Sequence, residues 1–307
     1  MKTVSLFPGQ GSQSLGMGIA FADTQNEARK VFDRAGEIAG YDLYALCKDG
    51  PLEKLSNTRY TQPALFTVEC AIAEVLAARG VRFDAAAGHS LGEFAAWYTA
   101  GAISFEDGLR LVIERGRLMD GADPQGIGTM ATVVGLSPEA VAAECGRVEG
   151  MVVAANINAP FQVVISGEKA AVGKAGENLL ARGAKLVIPI NVSGAFHSPL
   201  MEEAKESFRK ALEAMTVSDA RIPVYANVTA KPVTDAGEIR KLMVKQLVSP
   251  VRWADTIMNM IQDGIGMAYE LGPGGILAGL AKRTDERLRV VSIAEPSQLT
   301  EMMHGTT

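Results

Sequence analysis

Residues 83–100 read Phe-Asp-Ala-Ala-Ala-Gly-His-Ser-Leu-Gly-Glu-Phe-Ala-Ala-Trp-Tyr-Thr-Ala: a short apolar run, a glycine-bounded turn, then residues with helical spacing. Within them Gly88-His89-Ser90-Leu91-Gly92 fits G-x-S-x-G. In a strand-turn-helix context this pattern forms a nucleophile elbow, in which two glycines permit a turn tight enough to project the serine from the end of a sheet. Here a strand is expected over 83–87 and a helix over 91–100. The reading makes Ser90 the nucleophile and aims the N–H of Leu91 at the same space as an oxyanion donor.

Outward from the elbow, apolar periodicity predicts helices at 17–38, 62–79, 105–121, 198–215, 236–246, 252–263 and 275–283. Strand-like runs at 4–7, 224–227, 267–271 and 290–293 alternate with them, as in an open, mostly parallel α/β sheet. The stretch 126–190 has another rhythm: strand 129–134, helix 138–146, strands 152–156 and 162–166, helix 169–182, strand 185–190. That βαββαβ order is the ferredoxin-like unit. The expected architecture is a large α/β domain of residues 1–125 and 191–307 with a small domain of residues 126–190 inserted, and a cleft between them. The tail after Ser297 offers little to pack.

Composition narrows the function. Of 307 residues, 48% are hydrophobic and 21% charged, which excludes a disordered chain. The formal charge of -5 supplies no basic field for a nucleic acid. The three cysteines, Cys47, Cys70 and Cys145, lie far apart, so neither a disulfide framework nor a zinc site is expected. A reducing cytoplasm fits this best. No run approaches the roughly 18 apolar residues of a membrane span, and the first strand meets Pro8-Gly9 too early for a signal peptide.

A serine nucleophile needs a base, and histidine is the usual one. Of the three histidines, His304 lies in the tail and His89 adjoins Ser90, where neighbouring side chains diverge. That leaves His197 as the base and gives His89 a structural role beneath the elbow. His197 precedes Ser198-Pro199, an N-cap and first helical residue, so the positive helix end is expected to keep its imidazole neutral. Arg115 has Leu111, Val112, Leu118 and Met119 on its own helix face and no acid there. A buried guanidinium needs an anion, either a distant structural acid or a carboxylate brought into the cleft. The loop at 7–13 (FPGQGSQ) follows the first strand and could add a second oxyanion N–H; it lacks the third glycine of a dinucleotide site and the Lys-Ser/Thr of a P-loop.

These stretches, with 88–93 (GHSLGE), 114–116 (ERG), 158–160 (NAP), 194–198 (GAFHS), 246–253 (QLVSPVRW) and 272–274 (GPG), resemble the malonyl-CoA:acyl carrier protein transacylases over nearly the entire chain. The resemblance implies an α/β-hydrolase-like large domain and a two-step transfer of malonyl from malonyl-CoA to the phosphopantetheine thiol of acyl carrier protein, for fatty acid synthesis. It implies that Ser90 is acylated and His197 is the base. Arg115 would bind the malonyl carboxylate, and the N–H groups of Gln10 and Leu91 would form the oxyanion hole. The main-chain carbonyl of Gln246 would orient the histidine in place of an acid. Asn158 and Phe196 fall among the substrate-binding positions, and Phe196 matches the malonyl-selective pattern. No metal or nucleotide cofactor is implied, and a monomer is expected. The family's acidic carrier would meet the densest basic run, at Lys282 and Arg283. Other readings are a stand-alone acyltransferase for a polyketide synthase or malonate decarboxylase, and a serine esterase or thioesterase.

Overall fold

Ten strands, β1 (Lys2–Phe7), β2 (Ala85–Gly88), β3 (Gly128–Val134), β4 (Val152–Ala159), β5 (Gln162–Glu168), β6 (Leu186–Ile190), β7 (Val224–Tyr225), β8 (Pro232–Val233), β9 (Ile265–Leu271) and β10 (Arg289–Ile293), form two sheets. They belong to a computed structural model that describes residues 2–299. The fold is α/β, and the first sheet is mixed, with the order β10-β9-β1-β2-β7-β8. Five of these strands run parallel, as expected of a mostly parallel sheet, and β8 adds an antiparallel pair with β7 at the edge. Two residues at a strand edge carry no periodicity that a sequence could show.

Strands β1 and β2 are adjacent, with Phe7 opposite Gly88. The loops that follow them, 8–18 and 89–91, therefore leave the same sheet edge side by side. Apolar residues on one face of the sheet join the helices Thr58–Ala78, Gly92–Thr99 and Phe105–Asp120 in the largest core. Val4, Leu6, Ala268 and Trp253 fill the other face.

The second sheet has the order β4-β5-β3-β6, antiparallel throughout, with helices Pro138–Cys145 and Lys169–Ala181. Alternation sorts its side chains. Ala131, Val133, Val163 and Ile165 pack with the two helices, while Met130, Val164 and Ile190 on the other face meet Met119, Phe196 and Met201. Strand β4 is tied to the first body at Val251, whose carbonyl accepts from Ile157 N at 2.8 Å and whose N–H donates to Ala155 O at 2.8 Å.

Several helices depart from expectation. The one expected over 17–38 breaks at Gln25 into Ile19–Thr24 and Asn26–Ala39, where Gln25 is extended (φ -128°). The helix expected over 62–79 starts a turn earlier, at Thr58, where Asn57 caps it by accepting from Arg59 N at 3.0 Å. The short helices Leu43–Asp49 and Leu52–Ser56 were not foreseen. Leu299, in the tail, is buried at 3% exposure, and Gln298 Oε1 accepts from Ala294 N and Glu295 N. His304 lies outside the described residues. No helix among the described residues is long and apolar enough to cross a membrane.

Candidate active site

Strand β2 ends at Gly88, and Ser90 takes φ 51°, a left-handed conformation costly for a non-glycine residue. The crossing of the chain imposes it. A Cβ on Gly88 would lie 2.0 Å from the Gly92 carbonyl, and one on Gly92 would lie 2.1 Å from Phe7 O, so both positions require glycine. Asn227 braces the turn from beneath. Its Oδ1 accepts from Ser90 N at 2.7 Å and its Nδ2 donates to Gly88 O at 2.6 Å.

His197 also has positive φ (56°), and its Nε2 lies 2.7 Å from Ser90 Oγ. Its Nδ1 faces two carbonyls, Gln246 O at 2.9 Å and Ser249 O at 3.2 Å. Carbonyls only accept, so Nδ1 carries the hydrogen and Nε2 presents its lone pair to the serine hydroxyl. Burial, at 3% exposure, pushes the His197 pKa down to about 3, with the nearby Arg115 charge adding to it. The imidazole is thus neutral as expected, but burial is the first cause rather than the helix end. Ser198 is the cap foreseen, its Oγ accepting from Leu200 N at 3.3 Å.

Arg115 is 1% exposed and reaches the same hydroxyl. Its Nη2 donates to Ser90 Oγ at 3.1 Å and to Gln246 Oε1 at 2.9 Å, its Nη1 donates to Gln62 Oε1 at 2.8 Å, and its Nε has no partner. All its acceptors are neutral. Burial lowers its pKa to about 10, while the charge of Glu93 opposes that shift. Glu93 accepts from Asn227 N at 2.7 Å and from Gln246 Nε2, yet burial still raises its pKa to about 7. An arginine held by amides, with one N–H free and no salt-bridged acid, has unused capacity for an anion.

Gln62, Ser90, Arg115 and His197 border a cavity of about 100 Å³ that also touches Gln10, His89, Leu91 and Asn156. Met119, Met130, Val164, Ile190 and Phe196 make its apolar wall. The backbone amides of Gln10 and Leu91 donate to no protein acceptor among the described residues. Asn158 is not on the cavity. It bonds His89 Nε2 at 2.8 Å, and the His89 ring packs edge-on against Trp253, so Asn158 supports His89 while Asn156 faces the space. Lys282 and Arg283 are elsewhere too. They end the helix Ile276–Thr284, which starts beside the Gly272–Gly275 loop and runs away from it. Sequence reasoning missed Gln62, Glu93, Asn227 and Ser249. Glu93 and Ser249 lay inside quoted motifs, 88–93 and 246–253.

A family model described as an acyl transferase domain matches residues 4–299. The chain belongs to this family. Among the acyltransferases, the malonyl CoA-acyl carrier protein transacylase of Bacillus subtilis is 40% identical over 301 residues, covering 97% of this chain and 95% of that protein. The crystal structure of an acyl carrier protein S-malonyltransferase from Vibrio cholerae superposes with a TM-score of 0.96 at 39% identity, covering 98% and 100% of the two chains. A malonyl-transacylase solved in complex with a type II PKS acyl-carrier protein also has a TM-score of 0.96, at 39% identity and 99% and 100% coverage. This protein is accordingly an acyltransferase, of the malonyl CoA-acyl carrier protein transacylase kind.

Proposed function

We propose that this acyltransferase carries malonyl from malonyl-CoA to the phosphopantetheine thiol of an acyl carrier protein through an ester on Ser90, supplying fatty acid synthesis. The observation that carries the reading is the convergence of His197 Nε2 (2.7 Å) and Arg115 Nη2 (3.1 Å) on Ser90 Oγ. His197 takes the Ser90 proton as Oγ adds to the thioester carbonyl, and the N–H groups of Leu91 and Gln10 hold the developing oxyanion. The C–S bond then breaks, and the departing CoA sulfur receives the proton from His197. In the second half, His197 deprotonates the carrier thiol, sulfur adds to the ester carbonyl, and Ser90 Oγ leaves with the proton restored. The carbonyl of Gln246 holds the imidazolium formed in each half, so no third carboxylate is needed. Arg115 binds the malonyl carboxylate, Phe196 closes the wall beside it, and Asn158 acts through His89. Acid-base chemistry balances both halves, and we propose no resident metal or nucleotide cofactor.

We assign residues 1–125 and 191–307 to a hydrolase-like domain and residues 126–190 to an inserted ferredoxin-like domain. The small sheet's order, with its first strand between the third and the fourth, supports the second term. A cytoplasmic monomer remains the proposal for the whole. Carrier docking through Lys282 and Arg283 has only their charge in its support, because they stand a helix length from the loop beside the site.

Intact mass after mixing with malonyl-CoA tests the reaction. One malonyl adduct is expected, absent in Ser90→Ala; an adduct that persists in that variant overturns the assignment of the nucleophile.

A further inference from the structure

The second sheet turns one face toward the cavity, and only part of that face is covered. Facing positions on β3, β5 and β6 pair as Met130 with Ser166 and Ile190, Thr132 with Val164 and Ile188, and Val134 with Gln162 and Leu186. Met130, Val164 and Ile190 line the cavity. Two residues farther along β6, Ile188 is 49% exposed, and two beyond it Leu186 is 53% exposed. Phe161, at the β4–β5 turn, is 62% exposed, but its carbonyl accepts from Gly135 N at 2.9 Å, one register position past the facing Val134–Gln162 pair, so it stands outside the facing row. None of these facing positions on β3, β5 and β6 is charged. An apolar track thus runs from the cavity wall into solvent over roughly 13 Å, at about 3.3 Å of strand rise per residue. Contiguous apolar surface of this kind marks an interaction site.

We propose that Leu186 and Ile188 are the seat of the acyl carrier protein's body, a surface that rests on the transfer reaction proposed above. A carrier that delivers a thiol to Ser90 must rest its body on whatever flanks the cavity, and this track is continuous with the cavity wall. The edge of β6 is closed to an added strand because Pro189 lacks an N–H, so the contact is made on the face of the sheet. Apolar contact supplies the affinity here.

The two half-reactions separate this surface from the chemistry. Leu186→Ser with Ile188→Ser should lower kcat/KM for the carrier by about tenfold, mainly through KM, while malonyl loading of Ser90 by malonyl-CoA stays at the wild-type rate. Leu186→Met should restore much of the loss. Leu180→Ser, which removes an equally exposed leucine from the helix side, should change neither half. Unchanged carrier kinetics in the double variant overturn the surface and leave the reaction standing. Equal losses in both halves place the pantetheine arm shared by CoA and carrier on the track, and overturn the carrier-body assignment. A dimer in sedimentation that the double variant dissociates assigns the face to a second copy of this chain and overturns it as well. A wild-type protein that takes up no malonyl overturns the reaction and the surface together.

Discussion

The cavity at Ser90 has a floor and a wall made of opposite materials. Beneath the serine lie Gln62, Glu93, Arg115, Asn227 and Gln246, each at most 1% exposed and each bonded to another member of the group or to the serine. Across the space stand Met130, Val164 and Ile190 from the second sheet, which touch through methyl and thioether groups. A buried polar network loses more than the deleted group when one member goes, because partners are left unpaired in a low dielectric. An apolar wall loses transfer and packing energy alone. Floor substitutions should therefore be large and selective, and wall substitutions small and graded.

His197→Ala is expected to have the largest effect here, about 10²–10⁴-fold on both half-reactions, because a positioned proton-transfer group is removed. The pH profile sharpens the test. With its pKa near 3, His197 is neutral well below the ordinary histidine range, so kcat/KM for malonyl loading should show no acid limb near pH 6.5. The same depression affects stability: the neutral histidine's contribution is full above about pH 6.5 and is lost as pH falls toward 3, since the unfolded chain takes up the proton first. An acid limb at ordinary histidine pH would show that the floor does not hold His197 as the geometry requires.

Arg115→Ala follows. Loss of a charge-assisted bond of roughly 1.5–3 kcal/mol should lower kcat/KM for malonyl-CoA by about one to two orders of magnitude. Acetyl-CoA, which brings no anion, should be used as well or better by the variant, and Arg115→Lys should recover only part because a point charge cannot make a two-pronged contact. Equal losses for malonyl and acetyl would make Arg115 a structural member of the floor and send the carboxylate to another cation.

How much of this a sequence can show depends on how local the cause is. The elbow is legible because Gly88, Ser90 and Gly92 meet within five residues, and the small domain because its periodicity alternates between strand and helix. Arg115 stood out as a charge on an apolar stripe, and His197 by elimination; Gln246 came only from the family resemblance. Gln62 and Asn227 gave no signal because nothing in their surroundings foretells their meeting with Arg115 and Ser90, 53 and 137 positions away. Asn158 and Asn156 show the limit most plainly. Both belong to one strand two residues apart, where regular alternation would give them one face, and the register shift at Ile157/Ala159 lets the two amides part.

A second buried glutamate tests whether the network is what makes the floor tolerable. Glu69 is fully buried like Glu93, but neither of its oxygens has a partner, and burial beside Glu270 raises its pKa well above the carboxylate range. A raised pKa makes its contribution to stability fall as pH climbs through the folded-state value, so Glu69→Met should stabilise the protein by about 1–3 kcal/mol, with the gap over wild type widening toward alkaline pH. Glu93→Met, which removes a bonded acid beneath Arg115, should destabilise it. Denaturant unfolding of both variants at several pH values decides the matter: the same sign for both would mean that burial alone, and not bonding, governs these acids.

The smallest effect belongs to the wall. Ile190→Val removes one methylene from the apolar side of the cavity and leaves every polar contact of Ser90, His197 and Arg115 in place. A buried methylene contributes about 0.8 kcal/mol, so kcat/KM for malonyl-CoA should fall by no more than about fourfold. The vacated volume lies where a substituent on the malonyl carbon would point if the carboxylate is on Arg115 and the carbonyl is at Ser90. Methylmalonyl-CoA should therefore gain by a comparable factor, since one methylene in an apolar pocket discriminates weakly. Parallel kcat/KM measurements with the two thioesters read the ratio directly. A loss of a hundredfold for malonyl would show that the wall positions the reacting group as tightly as the floor does, and the division of labour between the two would have to be abandoned.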